Sequence, residues 1–296
     1  MDIISTAKEI SNSSFIAWVK NKTLQKYFVI LAILEILFAI AIFPALLELT
    51  TALSQISETQ FELIFEAMFS FYNSIQPFTI ISVIIISFFS YKIIQVGLKL
   101  SKRKSIQINF SRYLKFLFYP IFASLAAIFS IFDLRYLAVG AVGGLITLIG
   151  GATLLTQPAL GGLIILLGFV FLFVYLIIVI INSIKLMFGQ IIYIEKKRTI
   201  FESLKESFAI TDGNVVNLIL FGLIFGVMIF LISIIISLPN MLYVQFILPA
   251  DANTLTVFND IIYQLLLIPS YLLGAYSIIC SNLFIVKVYS KIKAKN

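Results

Sequence analysis

Six apolar stretches divide this chain, and the basic residues fall almost entirely on one side of them. The stretches are 27–49, 77–98, 113–132, 159–185, 215–238 and 261–286. Each has the ~20 residues that a helix needs to cross a ~30 Å hydrocarbon core. Lys8, Lys20, Lys22 and Lys26 precede the first stretch, and Lys99, Lys102, Arg103, Lys104 and Arg112 follow the second. Lys196, Lys197, Arg198 and Lys205 follow the fourth, and Lys287, Lys291, Lys293 and Lys295 close the chain. The first and fifth connections carry no Lys or Arg, and the third carries only Arg135. The excess of Lys and Arg on cytoplasmic loops then places both termini and the second and fourth connections in the cytoplasm. An all-α, polytopic integral membrane protein of the cell membrane is the expected fold class, as one membrane domain over 1–296.

Composition narrows the chemistry. Hydrophobic residues make up 61% and charged residues 12% of the chain, outside the range of soluble domains. The net charge of +7 sits in clusters at expected helix ends. Anionic head groups are its natural partner there, not nucleic acid. Histidine is absent and Cys280 is the single cysteine. Ser-His and Cys-His nucleophile pairs and the usual zinc, haem and iron–sulfur ligand sets cannot be assembled. No catalytic, cofactor or metal site is expected.

Three connections carry structure of their own. The first 26 residues place Ile3, Ala7, Ile10 and Trp18 near one stripe, as expected of an interfacial helix. In the first connection Glu58, Glu62 and Glu66 recur at i, i+4 opposite Phe61, Phe65, Met68 and Tyr72. A surface-lying amphipathic helix is expected there. Residues 137–157 contain five glycines and no charge. A seventh crossing there would put Lys196, Lys197 and Arg198 outside. The expectation is a re-entrant or surface-lying hairpin on the outer side, tolerated only where protein or water covers the backbone. The run Gly143-Gly144-Leu-Ile-Thr-Leu-Ile-Gly150 is echoed by Gly161-Gly162-Leu-Ile-Ile-Leu-Leu-Gly168, a pattern that favours close helix packing.

The fourth connection has the sharpest local signal. Thr199 and Glu202 have the spacing of a capping box, and Gly213 sits where a helix over 200–211 would end. Ile200, Phe201, Leu204 and Phe208 share one face, with Ile200, Leu204 and Phe208 expected towards the bilayer. Glu195, Ser203, Leu204, Ser207 and Gly213 together form a Glu, a Ser-Leu-x-x-Ser elbow and a closing Gly. In this the run resembles a group of uncharacterised prokaryotic and archaeal six-span membrane proteins, and the membrane domain of glycerophosphodiester phosphodiesterases. The resemblance implies six spans with an interfacial elbow helix and carries over no activity.

Within the spans, Glu35 and Lys92 are the deepest ionisable side chains, each about 10–12 Å from the cytoplasmic boundary at 1.5 Å per residue. Either alone costs about 2.5–3.5 kcal/mol on insertion scales, so an intramembrane pair between the first two spans is expected. Two functions remain open. One is a non-enzymatic scaffold or accessory subunit acting through lipid and helix contacts, with a helix-mediated partner or a second copy of itself. The other is a small transporter or lipid-handling permease with a polar cavity near Glu35 and Lys92.

Overall fold

In a computed structural model, residues 3–55, 61–103, 110–132, 135–196, 198–246 and 261–294 are described. They form helices and short links, with no strand among them. The helices are α1 (Ile3–Lys20), α2 (Lys22–Gln55), α3 (Phe61–Leu100), α4 (Phe110–Leu117), α5 (Tyr119–Ile128) and α6 (Arg135–Leu154), followed by α7 (Pro158–Leu186), α8 (Gly189–Glu195), α9 (Ile200–Thr211), α10 (Val215–Phe246) and α11 (Ile261–Lys293). Six of them are long and apolar enough to cross a membrane: 22–53, 62–100, 135–154, 158–195, 215–246 and 265–293. The chain is an all-α, multi-pass membrane protein.

The count of six stands, but its third member differs from the expectation. Residues 113–132 are not one span. Pro120 lies in the first turn of α5, where its missing N–H and its ring cannot continue the preceding helix. The segment therefore divides into helices of 8 and 10 residues, about 12 and 15 Å long and too short to cross. Ser130 ends it at a positive φ of 47°. Conversely, most of 137–157, where the glycine-rich outer hairpin was expected, belongs to one continuous 20-residue helix, Arg135–Leu154.

The molecule comprises two compact units. The first contains 1–97 and 222–287, the second 98–221 and 288–296. In the first unit Leu24 and Leu31 of α2, Phe89 and Ile93 of α3, and Ala275 and Ile279 of α11 form the core. Helix α1 joins it through aromatic contacts: Trp18 meets Phe28 and Tyr276 at ring centroids of 5.0 and 5.4 Å. Phe15 stacks on Phe225 at 5.5 Å. The buried side of α1 carries Thr6, Ile10, Ser11 and Ser14, more hydroxylated than the expected stripe; the side chains of Ile3 and Ala7 lie outside the described residues. The acidic strip expected as a separate surface helix is continuous with the second span, because α3 runs unbroken for 40 residues through Pro77. Glu58 lies outside the described residues.

The second unit is built on the antiparallel α6–α7 hairpin. Gly143 and Gly150 face α7 and Gly161 and Gly168 face α6, all four buried. A Cβ on Gly143 would stand 2.9 Å from Phe171, and one on Gly150 2.7 Å from the Ile165 nitrogen. Thr147 fills the space beside Gly168, and Leu154 that beside Gly161. The second glycine of each pair, Gly144, Gly151 or Gly162, faces open space. The repeated Gly-Gly-Leu-Ile run is thus one contact surface used twice, in opposite directions.

Candidate functional site

The ion pairs described in the second unit gather around the C-terminal end of α7, α8 and α9. Helix α8 is the hub: Phe188, just before it, and Ile191, Ile192, Tyr193 and Ile194 within it are buried. Gly189 is required there because the Tyr119 hydroxyl fills the position a Cβ would take. The last residue of α8, Glu195, accepts from Arg103 at 3.1 Å, from Lys293 at 2.7 Å and from the Tyr289 hydroxyl at 2.5 Å. Its side chain is 10% exposed. Two cations and a phenol therefore hold this one carboxylate. Charge-assisted bonds of this kind are the strong ones, and here they tie α8 to the ends of α3 and α11.

A second ionic group lies beside it. Glu206 of α9 pairs with Lys196 at 2.5 Å and with Arg198 at 2.7 Å. Arg112 of α4 donates to the carbonyls of Tyr193, Lys196 and Arg198 at 3.0, 2.6 and 3.1 Å. Its guanidinium lies over the Tyr193 ring at 4.6 Å, and the Tyr193 hydroxyl donates back to the Arg112 carbonyl at 3.1 Å. Arg112 thus collects the carbonyls at the end of α8 and the link that follows, which no helix bond can satisfy.

Each elbow residue named from the sequence has a place. The Thr199 hydroxyl accepts the Glu202 N–H at 3.2 Å, and the Glu202 carboxylate accepts the Thr199 N–H at 2.9 Å. That backbone hydrogen bond, first among its causes, holds the Glu202 carboxyl below the usual range. Gly213 adopts φ +76°, a left-handed conformation that glycine reaches without a Cβ penalty. Leu204 differs from the expectation: it is buried beside Gly189 rather than turned to lipid. The buried face of α9 also carries Ser203, Ser207 and Thr211. The Ser207 and Thr211 hydroxyls donate to the Lys185 carbonyl at 2.8 and 3.0 Å, and Ser207 accepts the Phe188 N–H at 3.2 Å. The hydroxyls of α9 thereby cap the end of α7. The four-residue period of Ser203, Ser207 and Thr211 was the available signal for this face; nothing in the sequence marks Arg103, Arg112 or Tyr289 as partners.

Glu35 and Lys92 are not brought together. No ion pair or hydrogen bond joins them. The Lys92 ammonium lies 5.5 and 5.4 Å from the ring centroids of Phe88 and Tyr91. The Glu35 carboxyl carbon lies 3.7 Å from where a Cβ on Gly274 would stand, so the carboxyl rests beside Gly274 at contact distance. The pair expected from matched depth gives way to two separate accommodations.

A cavity of about 900 Å³ opens in the second unit. Arg112 and Lys115 of α4 and Arg198 before α9 line it, with Phe122 and Leu125 of α5 and Phe129 after it.

No protein-family model, curated protein or solved structure matches this chain. The fold and its ionic clusters define a class: a multi-pass membrane protein whose helix ends are locked by buried and half-buried charge.

Proposed function

We propose that this chain is a non-enzymatic membrane scaffold or accessory subunit of the cell membrane, acting through lipid and helix contacts. One observation carries the reading. The two carboxylates at the heart of α8 and α9 are engaged in internal pairs that fix helix ends: Glu195 with Arg103 and Lys293, Glu206 with Lys196 and Arg198. Groups so engaged stabilise an architecture and have little freedom to exchange protons with a substrate. The spans meanwhile present large apolar side chains outward, among them Leu148, Leu163, Phe173 and Phe230, surfaces suited to lipid or to another helix. The basic residues of this end, Arg135 among them, support an orientation with both termini in the cytoplasm. The elbow run from Glu195 to Gly213 is the ground for likeness to the six-span proteins named above.

A lipid-handling permease is the second reading, favoured by the cavity beside α5. Reconstitution separates the two. The purified chain in vesicles carrying a fluorescent lipid should leave the dithionite-protected half of the signal unchanged, as in protein-free vesicles. In native membranes it should migrate, after cross-linking, in an assembly larger than one chain. Accelerated lipid translocation would overturn the scaffold reading in favour of the permease.

A further inference from the structure

We propose that the cavity between α4, α5 and the start of α9 is a binding site for one anionic phospholipid. The inference rests on the reading that this protein acts through lipid contacts, and it names the place and the ligand class. The cavity, about 900 Å³, is in the range of ordinary ligand sites. Its two ends differ in chemistry. Arg112, Lys115 and Arg198 contribute three cations against the single carboxylate of Glu202. Arg112 is fixed by three carbonyls and Arg198 by Glu206, so both hold their charges in place. Lys115 forms no ion pair with a described residue and lies exposed at the cavity. The first turn of α9, Thr199 to Phe201, also lines the cavity and adds the positive end of its backbone dipole, which Glu202 offsets in part.

Away from these charges the wall is α5. Phe122, Leu125 and Phe129 are lining residues and are 41–50% exposed. Helix α5 is about 15 Å long and leads from Tyr119, beside Gly189, to Ile128, whose carbonyl accepts from the Tyr175 hydroxyl. It therefore lies along α7, starting near the charged end and leading away from it. A phosphate at the cations would place an acyl chain along the phenylalanines. A free phosphate would match one end only, and a neutral lipid would leave Lys115, the cation that no described carboxylate meets, without an anionic partner. The ligand that satisfies both ends is a lipid with an anionic head group, with Lys115 its main ligand.

Native mass spectrometry of the full chain in neutral detergent tests this with dioleoyl-phosphatidylglycerol and dioleoyl-phosphatidylcholine, which share their acyl chains. A single phosphatidylglycerol should be retained at least ten-fold more tightly than phosphatidylcholine. Lys115→Gln should weaken the phosphatidylglycerol adduct about five-fold and leave phosphatidylcholine unchanged, and Lys115→Arg should restore it. Lys205→Gln, on an exposed position of α9, should have no effect. Equal retention of the two lipids, or equal loss in Lys115→Gln and Lys205→Gln, would overturn the site while leaving the scaffold reading to its own vesicle test. Displacement of the adduct by millimolar inorganic phosphate would overturn the lipid in favour of a free-phosphate site. Because Lys115 is exposed, unchanged thermal stability of lipid-free Lys115→Gln should accompany the loss; a lowered stability would turn the result against the proposal.

Discussion

Phe132 packs at a tilt against Phe208 of α9 with ring centroids 5.4 Å apart, and this contact marks how the second unit is threaded. It returns the chain after α5 to the end of α7 capped by Ser207 and Thr211. The Asn182 amide donating to Ser130 at 3.1 Å marks the same return one step earlier. The chain thus leaves this end along α4 and α5 and comes back to it over 129–132. Helix α6 starts there and runs back along α7 to a turn at 155–157. The helices at 135–154 and 158–195 are then the third and fourth of the six long and apolar enough to cross.

Side-specific labelling checks this on a Cys280→Ala background, where the buried native thiol is removed. Thr156→Cys, at the tip of the hairpin, should react from the side opposite Lys205→Cys on the elbow. Ser111→Cys should react from the same side as Lys205→Cys. Labelling of Thr156→Cys and Lys205→Cys from one side would defeat α6 as a crossing.

The hairpin's glycines divide into two kinds with opposite expected tolerance. Gly168→Leu forces a side chain into Thr147 and its backbone. It should destabilise by about 2 kcal/mol or more, since overpacking typically costs 1–3. Gly162→Ala meets nothing within 4 Å and should be neutral or slightly stabilising in the helix interior. Thermal unfolding in detergent should rank Gly168→Leu far below Gly162→Ala; equal melting would mean that the interface is not formed.

The elbow cap gives a third expectation. Thr199→Ala removes the hydroxyl that accepts the Glu202 N–H and should cost about 1 kcal/mol of local helix stability. Glu202 titrates below its usual value, so its contribution is present above the unfolded-state value and fades as pH falls through the folded one. Hydrogen exchange at the first turn of α9, corrected for intrinsic rates, should rise on acidification in the native chain. In Glu202→Ala that protection should be lower at neutral pH and lack the acid step.

The Glu195 cluster should respond asymmetrically. Glu195→Gln leaves Arg103 and Lys293, 20% and 27% exposed, facing each other without the carboxylate. A loss of about 2 kcal/mol is expected, below the 3–5 for fully buried pairs because both cations still reach water. Lys293→Met keeps Arg103 and Tyr289 on Glu195 and should lose less than half as much. Thermal unfolding of both variants measures the ratio, and equal losses would show that Glu195 is not the centre of the cluster.

What the sequence disclosed followed how local the physics was. The capping box and the left-handed Gly213 depend on a few consecutive residues, and both were visible in advance. The six-fold count and the helical class follow from hydropathy summed over long windows. The third crossing was misassigned because 113–132 and 135–154 are comparably apolar. What separates them is Pro120 in one and glycines at seven-residue spacing in the other. Arg103, Arg112, Lys293 and Tyr289 could not be foreseen as partners of α8, since they come from segments 80 to 100 residues away and have no periodic signature. Leu204 was assigned to lipid as one of four apolar residues on a face, whereas it packs inward beside Gly189, whose side-chain position the Tyr119 hydroxyl takes.

The same limit governs Glu35 and Lys92, whose equal depth says nothing about the direction each side chain takes around its helix. Lys92 lies beside the rings of Phe88 and Tyr91 on its own helix, with cation–π attraction of about 0.5–2 kcal/mol available to it. Glu35 rests beside Gly274 on α11. Because the two share no contact, their substitutions should act independently. In a double-mutant cycle of Glu35→Gln and Lys92→Met, the coupling should stay within about 0.5 kcal/mol. Gly274→Ala places a methyl against the Glu35 carboxyl, so it should couple to Glu35→Ala more strongly than Lys92→Met does. Thermal unfolding of the four Glu35 and Lys92 combinations supplies the cycle. A coupling above about 1 kcal/mol would restore the ion pair and refute the separate placement of the two side chains.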